Sequence, residues 1–184
     1  MPSKFIGGHR PPLLRGNHVE KNKKQKNDAH KTNVMRILDQ AHLDYESQFY
    51  EADDGALDGI SVANKISEDP NEVFKTLVCR GHSGGFKVFV IPVAAELDLK
   101  KAARAASEKS VAMIPQKELL PNTGYVHGGC SPIGMKKAYP TFIDKAAEAQ
   151  TRIYVSGGRI GAQVGLDPRT LAEFVGAPFC PLTR

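Results

Sequence analysis

The chain of 184 residues has no tryptophan, few cysteines and no long apolar run. Its three cysteines (Cys79, Cys130 and Cys180) are odd in number and far apart, which indicates a reducing compartment rather than a disulfide scaffold. No segment approaches the roughly 18 apolar residues that a membrane-spanning helix needs. The amino-terminal segment MPSKFIGGHRPPLLRGN has no apolar core of a secretory signal. These absences predict a cytoplasmic protein without a membrane partner.

The common metal-binding and nucleotide-binding motifs are missing as well. The histidines show no HExxH spacing, the cysteines form no CxxC pair, and neither GxxxxGKS/T nor GxGxxG occurs. We therefore expect no metal and no cofactor. His127 precedes Cys130 by three residues, so a catalytic thiol with its base is one interpretation. A small packed cysteine is favoured, because catalytic Cys–His pairs normally come from distant positions.

The positive charge of the chain is concentrated at its amino-terminal end. The formal net charge is +5, but residues 1–31 alone balance at +6 and the remaining residues at −1. Residues 1–30 are polar and poor in apolar side chains, which predicts a flexible basic tail. This tail is either a solubilising segment or an electrostatic arm for RNA. Residues 31–184 are predicted to form a single folded domain.

Apolar periodicity predicts helices and strands that alternate along the folded part. Helices are expected at 34–41, 61–66, 97–106, 115–120 and 168–175. Strands are expected at 45–50, 73–80, 86–92, 111–114, 138–144, 152–156 and 162–167. Short turns join Cys79 to Phe86 and Val155 to Ala162, and such links require antiparallel pairing. The predicted fold class is therefore mixed α/β, with a mixed sheet or partial barrel instead of a doubly wound parallel sheet.

Lys75 is the first candidate functional residue. It lies in the middle of the predicted strand 73–80, on the same face as Val73 and Leu77. An ammonium group among apolar neighbours is unusual, because desolvation opposes its charge. Lys75 therefore either reaches an edge or a carboxylate, or lines a pocket and meets an anionic or carbonyl group of a ligand.

Two glycine-rich segments, Gly128–Gly134 and Ser156–Arg159, are the other candidates. Adjacent glycines let backbone N–H groups approach a ligand closely and point at developing negative charge. A bulge and a hairpin turn would explain the same two patterns. Together with Lys75, the segments predict a small pocket for a carbonyl compound with nearby hydroxyl or phosphate groups. The sequence supplies no metal and no nucleophilic triad for such a pocket.

Three motifs in the order FKTLV, TGYxxGGxSPxGxKK and IYVSGGRxG resemble the YbaK/EbsC family of aminoacyl-tRNA deacylases. These proteins are related to the editing domain of prolyl-tRNA synthetase, and the resemblance covers about residues 31–180. It implies a mixed α/β fold with a largely antiparallel, barrel-like sheet flanked by helices. It also implies an enzyme that releases a mischarged amino acid from tRNA. The sequence leaves open whether this enzyme acts alone or docked on prolyl-tRNA synthetase. GGCSPIG is more similar to the branch that acts on Cys-tRNA(Pro) than to the branch that acts on Ala-tRNA(Pro).

The resemblance also implies a set of site residues and a mechanism. The catalytic residues are Lys75 and Gly129, and the substrate-binding residues are Tyr50, Gly128, Ser131, Ser156, Gly157 and Gly158. Arg159 stands where a lysine is expected, which keeps the charge but changes its geometry. The thiol of the substrate itself would attack the adjacent ester carbonyl. The alternatives are hydrolysis of Ala-tRNA(Pro) by water, and a tRNA-binding or synthetase-binding module without turnover.

Overall fold

The computed structural model describes residues 30–184, and Thr32–Arg184 form one compact unit. The predicted basic tail lies outside the described residues, except for its last residue. The helices of the described part are α1 (Asn33–Gln40), α2 (Gly59–Lys65), α3 (Leu99–Ala105), α4 (Gln116–Thr123) and α5 (Pro168–Val175). The strands are β1 (Glu46–Phe49), β2 (Phe74–Gly81), β3 (Phe86–Pro92), β4 (Val111–Met113), β5 (Thr141–Asp144), β6 (Ile153–Ser156), β7 (Ala162–Leu166) and β8 (Phe179–Cys180). A short 3-10 helix covers Lys145–Ala149. Within residues 30–184, no helix has the length and apolar character needed to cross a membrane.

Side-chain caps determine where most of these helices begin. Thr32 Oγ1 accepts a backbone N–H at 3.2 Å at the start of α1. Asp58, Asp98 and Asp167 cap α2, α3 and α5 in the same way. Each cap gives an acceptor to N–H groups that have no partner inside the helix. Helix α5 ends at Gly176 in the left-handed conformation, with φ +65°. Thr32, Asp167 and Gly176 are residue types that favour these cap positions.

Several helix boundaries differ from the prediction by one to three residues, and those of α3 and α4 have a clear physical reason. Helix α3 is shorter than 97–106, because Asp98 accepts from the next backbone N–H groups and so stands outside the helix. Pro115 is the residue before α4 instead of a member of its first turn. Helix α4 also continues to Thr123 through Pro121, beyond the predicted end at residue 120.

The strands form two sheets. The first has the order β1–β7–β6 and is antiparallel throughout. The second has the order β4–β2–β3–β5–β8; β2 pairs antiparallel with β3 and β4, and the pairs β3–β5 and β5–β8 are parallel. The mixed sheet and both antiparallel connections that the sequence predicts are confirmed.

The two sheets meet at the start of β2 without closing into a barrel. Val73 forms a parallel bridge with Tyr154 of β6, and the Tyr154 N–H donates to the Glu72 carbonyl oxygen at 2.8 Å. At its other end β2 pairs with β4 from Cys79 onwards. The expected barrel-like sheet is therefore two open sheets joined through one strand. Between the two contacts, one edge of β2 has no neighbouring strand among residues 30–184.

The largest apolar cluster joins α1 and α5 to strands of both sheets. Leu38 of α1, Val88 of β3, Val164 of β7 and Leu171 of α5 are all fully buried in it. Burial of such side chains is the main favourable contribution to folding. The two sheets are held in a defined relative position by this shared core.

The two glycine-rich loops pack directly against each other. Gly129 lies so close to the loop after β6 that an added Cβ would be 3.0 Å from Arg159 Cα and from Ile160 N. Gly158 has φ +95°, and a Cβ there would be 2.7 Å from Val34 Cγ2 of α1. Position 129 therefore requires glycine because the backbone of the neighbouring loop leaves no room for a Cβ. Position 158 requires it both because a Val34 methyl group is close and because its φ is positive.

We expect Gly129→Ala to lower the free energy of unfolding by about 1–3 kcal/mol, as overpacked sites do. The new methyl group meets backbone atoms, which cannot move aside like the end of a side chain. Denaturant unfolding of the full chain measures the loss. Gly85→Ala in the β2–β3 turn is the matched control, because a Cβ there meets nothing within 4 Å. Equal stability of the two variants would contradict the packing argument.

Candidate functional site

A cavity of about 490 Å³ lies beside the point where β2 connects the two sheets. Pockets of this size hold small ligands. It is lined by Tyr50, Leu57, Asp58, Gly59, Ile60, Val62, Val73, Phe74, Lys75, Thr76, Leu77, Val93, Leu119, His127, Gly128, Cys130, Ser156 and Gln163. These residues come from both sheets, the start of α2 and the loop after α4. The cavity is thus a product of the tertiary fold and not of one contiguous segment.

The structure brings half of the sequence-predicted site residues into this cavity. Tyr50, Lys75, Gly128 and Ser156 line it. Gly129, Ser131, Gly157 and Gly158 lie outside the lining.

The residues outside the lining shape the loops that carry the others. Ser131 is fully buried, and its Oγ accepts the Ile133 N–H at 3.3 Å. The Gly157 N–H donates to a carbonyl of β7 at 2.8 Å. The Gly158 N–H donates to Ser156 Oγ at 3.2 Å, which orients that hydroxyl. Direct ligand contact was the sequence prediction for these residues, and the structure gives them internal partners instead.

Lys75 is half-buried and has one protein acceptor. Its Nζ donates to the Val93 carbonyl oxygen at 3.3 Å, and it forms no ion pair with the carboxylates of residues 30–184. Burial lowers the pKa of Lys75, and the more distant Glu96 carboxylate opposes this shift. An ammonium has three N–H donors. Lys75 therefore presents donors and positive charge to the cavity, and no carboxylate of residues 30–184 forms an ion pair with it.

The unpaired edge of β2 adds backbone groups to the cavity. The Val73 carbonyl oxygen accepts from the Val93 N–H at 2.9 Å and the Gly81 N–H donates to the Gly85 carbonyl oxygen at 2.8 Å, so the odd-numbered residues of β2 direct their backbone groups towards β3. The N–H and C=O of Thr76 consequently point to the opposite edge, where β2 has no strand neighbour among the described residues. Five consecutive residues of this strand segment line the cavity, because the cavity meets the strand at its edge instead of one face.

Three buried polar side-chain atoms have no hydrogen-bond partner in residues 30–184: Tyr50 Oη, Thr76 Oγ1 and Gln163 Oε1. All three residues line the cavity. Buried polar atoms are nearly always hydrogen-bonded, because leaving one unpaired costs about 1–3 kcal/mol. Their concentration in one cavity is what a site for a polar ligand requires.

The Gly128–Gly129 turn offers one free amide instead of two. Gly128 has φ +85° and lines the cavity. The Gly129 N–H donates to the Val126 carbonyl oxygen at 3.0 Å and so closes the turn. The predicted pair of donors for a carbonyl oxygen is therefore reduced to Gly128, and Gly129 fixes its position.

Cys130 lines the cavity but is not activated as a nucleophile. Burial raises the pKa of its thiol to about 12. No hydrogen bond joins it to His127 in the described part of the chain, and His127 is exposed. A thiolate is the reactive form of cysteine, so the packed-cysteine interpretation agrees with the structure.

Sequence reasoning missed Thr76, Gln163 and the lining residues between positions 57 and 62. Gln163 had a signal, since it is a long polar residue in the otherwise apolar strand AQVGL, all of which is buried. It faces Ser156 directly across the β6–β7 pair, which places the two side chains side by side. Thr76 is adjacent to Lys75, but alternation alone assigns it to the other face. The lining residues between positions 57 and 62 had no sequence signal.

Comparison with known proteins identifies the family and the fold. The sequence profile of the aminoacyl-tRNA editing domain family matches residues 57–174, which contain all of the cavity lining except Tyr50. The chain belongs to this family. Its substrate class is therefore aminoacyl-tRNA, and the resemblance noted in the sequence is confirmed.

Individual relatives agree with the family. A candidate Cys-tRNA(Pro)/Cys-tRNA(Cys) deacylase, EbsC of Enterococcus faecalis strain ATCC 700802 / V583, is 39% identical over 86% of this chain and 97% of its own length. The hypothetical protein APE2540 has the same fold, with a TM-score of 0.76 and 22% identity over 83% of this chain and 100% of its own. A candidate trans-editing enzyme for prolyl-tRNA synthetase matches with a TM-score of 0.69 and 22% identity, over 76% of this chain and 87% of its own.

We expect Gln163→Leu to raise the free energy of unfolding by about 1 kcal/mol, because it removes a buried acceptor that has no partner. Gln48→Leu is the matched control: Gln48 faces Gln163 on β1, but its amide nitrogen donates to Glu46 Oε1 at 2.7 Å. This control should be neutral or destabilised. Chemical denaturation of both variants provides the measurement, and a marked loss of stability in Gln163→Leu would show that its amide has a structural partner.

Proposed function

We propose that this protein is a trans-editing deacylase that releases mischarged cysteine from Cys-tRNA(Pro). The observation that carries the proposal is the cavity, in which, among residues 30–184, Lys75 has no ion-pair partner, three buried polar atoms have no hydrogen-bond partner, and the Cys130 thiol is not activated. Such a site can hold and polarise an ester, but the attacking group must come from elsewhere. The relative named for Cys-tRNA(Pro) and Cys-tRNA(Cys) supports cysteine as the amino acid.

The substrate thiol supplies the nucleophile in the proposed reaction. Its sulfur attacks the carbonyl carbon of the same cysteinyl ester, and a C–S bond forms as the bond to the ribose oxygen breaks. The thiol proton ends on the ribose oxygen, so the products are a thiolactone and tRNA with a free terminal hydroxyl. A nucleophile held within the reacting molecule needs no further activation by a buried side chain. Alanine and serine esters lack the thiol and are excluded chemically, which pocket size alone achieves poorly.

Different polar groups of the cavity bind different parts of the aminoacyl ester. The Gly128 N–H and the outward-facing Thr76 N–H donate to the carbonyl oxygen as it gains charge, a contact worth about 3 kcal/mol in other enzymes. Lys75 binds the carbonyl or the terminal ribose and phosphate through charge-assisted hydrogen bonds. Gln163 Oε1 accepts from the ammonium of the cysteinyl group, the one cation of the aminoacyl end. Tyr50 and Ser156 supply hydroxyl groups for the ribose.

The proposal includes prolyl-tRNA synthetase as a protein partner and the cytoplasm as the place of action. Residues 32–184 are nearly neutral in formal charge, so the folded part has little general attraction for the tRNA backbone. A synthetase that already binds tRNA(Pro) would provide the selection that the domain lacks.

Turnover of cysteinyl and alanyl tRNA(Pro) by the full-length protein, compared side by side, tests the function. Faster release of cysteine, with a thiolactone trapped as product, is the expected result. Equal or faster release of alanine would replace the thiol mechanism by hydrolysis with water. Release of neither above the spontaneous rate would leave a binding module and overturn the proposal.

We expect Lys75→Met to lower single-turnover deacylation by about 10² or more, equivalent to about 3 kcal/mol of transition-state stabilisation. Methionine keeps the volume of the stem and removes a partly desolvated charge, so stability should be kept or raised. Lys87→Met on β3 is the control, because Lys87 pairs with Glu108 at 3.6 Å away from the cavity. That variant should lose stability and keep activity. Thermal melting and deacylation are measured on the same preparations, and full activity in folded Lys75→Met would refute the assignment.

A further inference from the structure

The segment between β1 and α2 forms one wall of the cavity. Tyr50 at its start and Leu57 and Asp58 at its end line the cavity. The Tyr50 N–H donates to the Gly161 carbonyl oxygen at 3.0 Å, and Asp58 caps α2. Both ends of this wall segment, residues 50–58, are thus attached to regular structure. Its middle has to be held by something else.

The middle of the wall segment is held by Lys65, the last residue of α2. Lys65 Nζ donates to the Glu51 carbonyl oxygen at 2.9 Å and to the Ala56 carbonyl oxygen at 3.3 Å. It also contacts Asp54 Oδ1 at 2.6 Å. Three acceptors from one loop match the three donors of an ammonium group. The side chain of Lys65 is only 20% exposed, whereas that of Asp54 is 58% exposed, so the two backbone carbonyl contacts of Lys65 carry more of the attachment than the ion pair does.

The same ammonium connects the wall segment to the aromatic ring at its start. Lys65 Nζ lies 5.9 Å from the centre of the Tyr50 ring, within the range of a cation–π contact. Tyr50 lines both the cavity and a shallow groove of about 590 Å³, which Asp54 and Lys65 also line. Lys65 therefore contacts, from the groove, a residue that also borders the cavity.

We propose that Lys65 is a positioning residue that sets the width of the substrate cavity by holding the wall segment and Tyr50 in place. Lys65 itself does not line the cavity and does not touch the reacting ester. Its effect is on which aminoacyl groups fit and how tightly they bind. The proposal rests on the proposed function only in taking the cavity as the site of the aminoacyl group.

Amide exchange tests the structural half of the proposal without any substrate. The Gly55 N–H donates to the Ala52 carbonyl oxygen at 3.0 Å, and the Ala56 N–H donates to Asp54 Oδ1 at 3.0 Å. In Lys65→Met both amides should exchange about tenfold faster, because local opening of the loop becomes easier. The amide of Val88, bonded to the Pro140 carbonyl oxygen in the core, should not change. Lys145→Met, at an exposed lysine of the 3-10 helix, is the control for loss of a charge.

Kinetics with cysteinyl and methionyl tRNA(Pro) test the functional half. In Lys65→Met, KM for the cysteinyl ester should rise about tenfold with little change in kcat, the signature of lost uniform binding. The methionyl ester has no thiol and is not turned over in the proposed reaction, so the preference compares KM for the cysteinyl ester with the inhibition constant of methionyl-tRNA(Pro). This preference for the cysteinyl over the larger methionyl ester should shrink, because a loose wall admits longer side chains. A purely structural role would not change this preference. Asp54→Ala should change KM and the ester preference in the same direction as Lys65→Met. Because Asp54 is 58% exposed, we expect this variant to fold and to remain informative if Lys65→Met does not fold.

Unchanged exchange of Gly55 and Ala56 in a folded Lys65→Met protein would overturn the proposal. Faster exchange with an unchanged KM and an unchanged ester preference would also overturn it, since the wall would then be irrelevant to binding. If the wild-type protein releases no cysteine, the proposed function fails by itself. The exchange data still report on the wall, and the preference is then measured on whichever ester the protein cleaves.

Discussion

Part of one edge of β2 has no strand partner in the described part of the chain, and the candidate site depends on that gap. At its start the strand is attached to the three-stranded sheet through Val73, and further along it pairs with β4 from Cys79. Between these points Thr76 turns its N–H and C=O away from β3, towards the cavity. A backbone edge inside a protein has to be satisfied. A ligand with its own donors and acceptors can take the place of the missing strand.

The polar groups around this edge are arranged at the expense of stability. Lys75 is partly desolvated without an ion-pair partner in the described residues, and its lowered pKa expresses that penalty. Tyr50, Thr76 and Gln163 each leave a buried polar atom unpaired. The apolar core shared by both sheets offsets these terms. Unfavourable groups concentrated at one place in an otherwise well-satisfied domain indicate a functional constraint rather than poor packing.

The glycines of the two glycine-rich loops mainly allow the loops to pack closely against each other, whereas their motifs suggested donors for a ligand. Adjacent glycines predict backbone donors aimed at a ligand, yet the Gly129 amide bonds to Val126 and the Gly157 amide bonds to β7. Glycine at Gly129 is required mainly because backbone of the neighbouring loop passes at 3.0 Å from where a Cβ would be. The motif thus marks the meeting of two loops that carry Gly128 and Ser156 to the cavity. A close approach and an oxyanion site leave the same glycine pattern in a sequence.

The sequence by itself determined the local structure and pointed to the most important side chain. Capping residues and apolar periodicity defined most helices and strands, because those signals act over a few residues. Lys75 was visible because a charge in an apolar strand is rare wherever the strand lies. Only the tertiary structure decided that the sheets stay open, that Gln163 and Thr76 face the same cavity, and that Lys65 supports its wall. These features depend on contacts between segments distant in the chain, whose register and edge pairing no local pattern encodes.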